Sequence, residues 1–459
     1  MPLRRLNASW MRFWTSATRA RTWAKQPANF KLTRYLILRG YIKWLKAIVV
    51  LSVLLVAGLH IGAWSIDSWS TPRAAKLPAR SPIALNNLQQ ALDAEFAPVV
   101  KDGLLRPSTG CGVAIGIIDH GQRRVFTYGA AQADSIFEIG SVTKTLTGLA
   151  LAQLAAQGKV RLDEPVRPIL FPNPAAAPVS GEITLLDLVT HRSGLPSVPG
   201  NLVLKDPGNP FADYTPVAMR EFFTNRGTQR PADAKYSYSS FGIALLGFAL
   251  AQREGVAYSQ LIRTEITGPL RMNDTTFPLS PEQAHRVVQG HSANLDPVEA
   301  GLGEGGIFAG AVGAKSTVAD LLIYLDANLH PDHYSLGAAS ASPAATLPDA
   351  IAIDHQLRGN VTPDTQVAFS WLYDLKSGRF EHGGATPGFT AHVEFSPGKD
   401  RAIVVLYNRM DESLGQERFV DRVAENIDEL MSGKPAARID LISDSDPALA
   451  ALNQDENDL

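Results

Sequence analysis

A chain of 459 residues, 45% hydrophobic and 19% charged, is long enough for about two to three domains and can bury a large core. Its formal net charge of −2 conceals a segregation: residues 1–46 carry eleven Lys/Arg and no Asp or Glu, and the remainder bears a net −13. An acidic body argues against nucleic acid as a partner. The single cysteine, Cys111, excludes an intrachain disulfide, leaves the redox compartment open and reads as a buried strand residue.

Residues 47–66 form a stretch without formal charge apart from protonation of His60, of the length that crosses a bilayer. Trp44, Trp64 and Trp69 flank it, and the basic excess lies wholly on its N-terminal side. This pattern predicts a single-pass transmembrane helix with the N-terminus in the cytoplasm and the rest periplasmic or extracellular. A cleaved signal peptide is the alternative; its basic region would be unusually long, and no clean small-x-small cleavage site follows. No Cys lies near this segment, which excludes a lipoprotein. The expected order is a basic tail (1–46), the membrane helix (47–66), a linker (67–82), the main domain (83–432) and an acidic tail (433–459).

Within the main domain, residues 85–100 read as an amphipathic helix. Residues 112–119 and 123–129, joined at His120-Gly121, read as a two-stranded hairpin. Helices are predicted at 183–190, 218–225, 241–253, 317–329 and 417–431. Residues 196–216 are Pro/Gly-rich loop, and 235–240 (Lys-Tyr-Ser-Tyr-Ser-Ser) form a hydroxyl-rich loop. The Gly-rich run 301–313 lacks Gly-x-x-x-x-Gly-Lys and is not read as a phosphate loop. Residues 331–365, rich in Ala, Ser and Pro, read as an exposed insertion. His330 and His333, at the start of this stretch, are given no third ligand and read as surface histidines, with no metal implied. Strands are predicted at 367–375, 379–381, 391–395 and 402–407. Two early strands and at least four late ones must share one antiparallel sheet, since otherwise both sets leave bare edges. The expected fold is α+β: an antiparallel sheet flanked by helices, with a helical domain inserted in mid-chain.

The chemistry centres on residues 137–157, Phe-Glu-Ile-Gly-Ser-Val-Thr-Lys followed by a Leu/Ala-rich run with no charge until Lys159. Such a run reads as a helix buried on nearly all sides, with Ser141 and Lys144 on one face of its first turn. Helix N–H groups beside the serine favour developing negative charge. Burial and nearby positive charge lower a lysine pKa until the amine can act as a base. The plainer alternative is an N-cap serine and a solvated lysine. Ser-x-x-Lys also occurs at Ser396–Lys399, where Pro-Gly marks a hairpin turn.

From about Pro82 to Met431 the chain resembles the serine β-lactamase and penicillin-binding-protein superfamily, in particular its class C-like branch of β-lactamase-related serine hydrolases. Six segments carry the resemblance: Phe137–Lys144; Ile183–Leu195 (Ile-Thr-Leu-Leu-Asp-Leu-Val-Thr-His-Arg-Ser-Gly-Leu); Tyr238-Ser239-Ser240 with Phe241–Gly247; Gly268–Thr275; Gly305–Phe308; and His382-Gly383-Gly384 with Ala385–Phe389. The resemblance implies a β-lactamase/transpeptidase-like fold with the site between sheet and helical domain. It implies Ser141 as nucleophile, Lys144 as the base or the group sharing its proton, and Tyr238 as second base and proton donor. Ser240 stands where the family has Asn. The resemblance further implies His382 as a positive or hydrogen-bonding group facing a substrate carboxylate or the tyrosine, Gly383 and Gly384 as admitting substrate backbone beside the edge strand, and the N–H groups of Ser141 and Ala385 as an oxyanion hole.

No cofactor or metal is implied. The Ser at 240 and the absence of the Lys and Thr of a Lys-Thr-Gly motif predict poor β-lactam turnover. A D-Ala-D-Ala carboxypeptidase-like peptidase or an esterase is favoured, acting on a cell-wall peptide or small ester. A β-lactamase, or a non-catalytic relative binding peptidoglycan or a partner, is the alternative. The chain contains no Gly-x-Ser-x-Gly elbow of the common α/β-hydrolase.

Overall fold

The computed structural model describes residues 81–101, 104–105, 107–172, 180–206, 209–299, 301, 306–339, 342–410 and 418–434. The expected basic tail, membrane helix, most of the linker and nearly all of the acidic tail lie outside them. Among the described residues no helix is long and apolar enough to cross a membrane.

The strand pattern of the sequence becomes one seven-stranded antiparallel sheet. Its strands are β1 (Gly112–Asp119), β2 (Gln122–Gly129), β3 (Thr365–Val367), β4 (Leu372–Asp374), β5 (Arg379–Thr386), β6 (Phe389–Ser396) and β7 (Arg401–Tyr407). They run β2-β1-β7-β6-β5-β4-β3 across the sheet. The early hairpin thus pairs with the last strand, Val113 opposite Tyr407 and Asp119 opposite Arg401. The β1–β2 turn carries positive φ at both His120 and Gly121, the arrangement that matches a two-residue hairpin to strand twist. The stretch 367–375, expected as one strand, is two: Ser370 takes a φ of 63° and the chain folds back, so that β3 and β4 pair with each other.

Strand alternation sorts the side chains into two cores. Val113, Ile115, Ile117, Ile403 and Val405 face α1 (Leu88–Lys101) and the C-terminal helix, while Ala114, Ile118, Val404 and Leu406 face the larger core that contains the remaining helices. Both faces of β1 are covered, so it reads as a near-continuous apolar run.

Within the larger core, α2 (Thr143–Ala156) is buried at every position from Thr143 to Leu154, as its lack of charge after Lys144 leads one to expect. Also on this side lie α3 (Leu185–Val189), α4 (Pro216–Arg226), α5 (Ser240–Glu254), α6 (Val318–Leu329) and α7 (Pro343–Asp354), and the chain ends its described part in α8 (Phe419–Met431). Thr184 caps α3 in a capping box with Asp187, and Ser239 and Thr317 cap α5 and α6.

The reading of 331–365 as an exposed insertion is overturned. Leu347, Ala350, Ile351 and Asp354 form a buried stripe on α7, which packs directly on α2. Asp354 there accepts the indole N–H of buried Trp371 at 3.0 Å.

Candidate active site

The site is built where the start of α2 meets strand β5. Phe137–Glu138 pairs with Lys315–Ser316, and Ile139 N–H donates to the Ala314 carbonyl at 3.1 Å, which fixes the chain just ahead of the serine. Gly140 then turns it with a φ of +50°. A Cβ at Gly140 would lie 2.7 Å from the backbone nitrogen of Ala385, so glycine meets both the conformation and the close approach. Ser141 follows in a short 3-10 turn, Gly140–Val142, and α2 begins only at Thr143. The serine therefore precedes the helix rather than standing in its first turn.

Lys144 is fully buried, and its Nζ donates to Oγ of Ser141 at 2.7 Å and to the Ala311 carbonyl at 3.0 Å. Nζ lies 5.0 Å from the ring centroid of Tyr238. Burial drives the amine below its usual range, and the Tyr238 phenol opposes that shift. Of the two causes expected from the sequence, burial acts here, and no positive neighbour is among the causes.

Tyr238 is half-buried in the loop ahead of α5, with His191 and His382 at ring distances of 4.7 and 6.4 Å. His382 is buried on β5, and its Nδ1 lies 2.7 Å from the Gly383 carbonyl. Burial first, then Lys144, lowers its pKa to about 3. At neutral pH it therefore offers a hydrogen-bonding ring and no positive charge, which removes the charged option raised for this position.

Gly383, Gly384 and Ala385 continue β5 opposite His392, Ala391 and Thr390. A Cβ at Gly384 would overlap the carbonyl oxygen of Ile139 and lie 3.2 Å from the Ser141 nitrogen. The backbone nitrogens of Ser141 and Ala385 thus belong to chain segments in direct contact. Ser240 is half-buried at the first position of α5, while Ser239 takes the capping role, accepting from Gly242 N–H at 2.9 Å.

Two residues near the site carried no role in the sequence reading. His191 contacts the Tyr238 loop. Arg418, at the start of α8, donates to the Gly384 carbonyl at 3.3 Å and pairs with Asp421 at 2.7 and 2.8 Å. The guanidinium occupies the space that a side chain at Gly383 would need. Behind it, buried His392 bridges Asp421 (2.8 Å) and Glu394 (3.0 Å). Burial works against its charge, yet the two carboxylates hold its pKa up at about 9. The signal in sequence was Gly383 itself, whose missing side chain leaves room for a distant one.

His330 and His333 do acquire an acidic neighbour, contrary to the sequence reading. Asp326 lies 3.0 Å from His330 Nδ1, and His330 Nε2 is 2.8 Å from Asp400. Asp326 also takes the Arg123 guanidinium at 2.5 Å and the Tyr334 hydroxyl at 2.7 Å, so its charge is already matched.

A serine held against a buried lysine, with a tyrosine beside the amine and backbone nitrogens close by, is an arrangement that can support acyl transfer. Residues 103–425 match the family model Beta-lactamase, and the chain belongs to this family of serine hydrolases. It is 27% identical over 390 residues to the D-alanyl-D-alanine-carboxypeptidase/endopeptidase AmpH of Escherichia coli (strain K12), covering 79% of this chain and 97% of that protein. It is 26% identical to a β-lactamase of Pseudomonas fluorescens, over 70% of this chain and 94% of the relative. Among solved structures, a β-lactamase from Sulfitobacter sp. EE-36 superposes with a TM-score of 0.57 at 26% identity, covering 72% of this chain and 95% of that one.

Proposed function

We propose that this protein hydrolyses a cell-wall D-amino-acid peptide, in the manner of a D-Ala-D-Ala carboxypeptidase, or a small ester, through an acyl-enzyme on Ser141. The observation that carries the reading is the 2.7 Å hydrogen bond from fully buried Lys144 to the serine hydroxyl. A buried amine pushed toward its neutral form can accept the Ser141 proton as Oγ attacks the acyl carbon. The N–H groups of Ser141 and Ala385 receive the negative charge on the former carbonyl oxygen. Tyr238, beside Lys144, passes the proton to the departing amine or alcohol. Water then attacks the acyl carbon, the Ser141 ester bond breaks, and the serine hydroxyl regains a proton.

Similarity to AmpH over nearly its whole length supports a peptidase. Ser240 in place of Asn and a neutral His382 in place of a cation support weak β-lactam turnover, since both remove groups that would hold a β-lactam amide and carboxylate. The charge asymmetry around residues 47–66 supports a single inner-membrane anchor with the hydrolase outside the cytoplasm.

The test is intact-protein mass spectrometry after exposure to a penicillin, beside Ser141→Ala. A lasting adduct on the native protein alone supports a penicillin-binding peptidase. An intact drug with no adduct moves the assignment to an esterase, and rapid drug turnover overturns it in favour of a β-lactamase.

A further inference from the structure

His191 lies outside the Ser-Lys-Tyr constellation, yet it holds the tyrosine loop at two points. It follows α3 in the left-handed region, with a φ of 56°, and is buried. Its carbonyl accepts the N–H of Ser237 at 2.8 Å, and its ring Nδ1 accepts the N–H of Ser239 at 3.0 Å. These are the residues on either side of Tyr238. The imidazole also lies against the Tyr238 ring, 4.7 Å between centroids, and meets Tyr236 edge-on at 5.7 Å. An Nδ1 that accepts a hydrogen bond leaves the ring proton on Nε2. A protonated ring would lose that acceptor, and burial, followed by the charge of Lys144, keeps the imidazole neutral. Left-handed backbone at a buried non-glycine is uncommon and costs free energy, so the surroundings must impose it.

We propose that His191 is a positioning residue that fixes Tyr238 over Lys144 by gripping the peptide groups before and after it. It touches no reacting atom and acts only through the tyrosine. This inference rests on the role given to Tyr238 above.

A double-mutant cycle tests it on the full-length protein, with p-nitrophenyl butyrate as the probe. The native protein, His191→Ala, Tyr238→Phe and the double variant are compared for kcat, KM and thermal unfolding. His191→Asn is carried through the same cycle. Asn tolerates the left-handed region and its side-chain oxygen can replace the Nδ1 acceptor, so it keeps the test open where Ala misfolds. Misplacement of a reacting group by about 1 Å costs about 10²-fold, and His191→Ala is expected to lower kcat by that order with little change in KM. Adding it to Tyr238→Phe is expected to cost nothing more, and Asn is expected to recover most of the loss. Losses that multiply in the double variant overturn the proposal, as does a folded His191→Asn no better than Ala. Native kcat in His191→Ala beside a crippled Tyr238→Phe overturns this inference alone. Native kcat in Tyr238→Phe overturns the role of the tyrosine and this inference with it.

Discussion

Nζ of Lys144 stands 2.7 Å from Oγ of Ser141, at the start of a helix, Thr143–Ala156, that carries no other charged side chain. On the mechanism proposed above, removing that amine removes the base. Lys144→Met, similar in length and apolar, is expected to lower kcat by about 10²- to 10⁴-fold. It is expected to leave thermal stability unchanged or higher, because no buried charge is left unpaired. Steady-state kinetics and a melting curve on the same sample decide it, and a variant of near-native kcat would sink the assignment of the base.

The two adjacent glycines of β5 respond oppositely to a methyl group. At Gly384 a Cβ meets the fixed backbone carbonyl of Ile139; at Gly383 it meets the far end of the Arg418 side chain. Gly384→Ala is expected to destabilise by about 1–3 kcal/mol and to abolish most activity, because the Ser141 turn must shift. Gly383→Ala is expected to fold normally, with Arg418 swinging aside. Equal melting temperatures and equal kcat in the two variants contradict this.

Two buried histidines give the stability profile opposite slopes. His392, raised to about 9 from an ordinary 6.5, binds its proton more tightly in the folded state. Its stabilisation is complete below pH 6.5 and is lost as pH rises through about 9, a swing of roughly 3 kcal/mol. His382, lowered to about 3, stays neutral in the fold while the unfolded chain takes up a proton below pH 6.5, so stability falls as pH drops from 6.5 toward 3. Urea midpoints measured across this range are expected to peak near neutrality, with the alkaline slope flattened in His392→Gln. An unchanged alkaline slope in that variant refutes the His392 contribution.

Asp354 is fully buried beneath α2, and burial lifts its pKa well above the ordinary 3.8, with the Trp371 indole N–H opposing. Between 3.8 and that raised value the folded state keeps the proton while the unfolded chain ionises, so stability is lost as pH rises above 3.8. Asp354→Asn keeps an acceptor for the indole and cannot ionise. Its melting temperature is expected to exceed the native value at pH 8 and to match it at pH 4, and calorimetry at the two pH values checks this. A lower melting temperature at pH 8 means that the carboxylate is charged and paired.

The sequence made the uncharged helix and the strands plain because burial leaves a local signature: no charge in residues 145–158, and near-continuous apolar runs after Gly112 and after Arg401. It concealed α7 because Pro343, Pro348 and several Ala residues look like linker, while the stripe Leu347, Ala350, Ile351 and Asp354 acquires meaning only against α2. The short reading of 379–381 fell before His382-Gly383-Gly384, since glycine weakens a strand. Pairing with β6 carries β5 through to Thr386 regardless. Ser141 and Lys144 were legible because their relation is local. His191 and Arg418 were not, because each reaches the site across tens of residues of intervening chain, His191 at Ser237 and Ser239 and Arg418 at Gly384.

The strand order has a consequence for how this protein comes into being. The centre of the sheet is closed by Arg401–Tyr407, whose first residue donates to Asp119 at 2.9 Å across 282 positions of chain. A ribosome must therefore deliver the chain through Arg401–Tyr407 before β1 gains its second neighbour, and contacts so distant in sequence form slowly. Products terminated before Arg401 lack the strand that joins the early hairpin to β6, so in them the sheet stays divided into two parts.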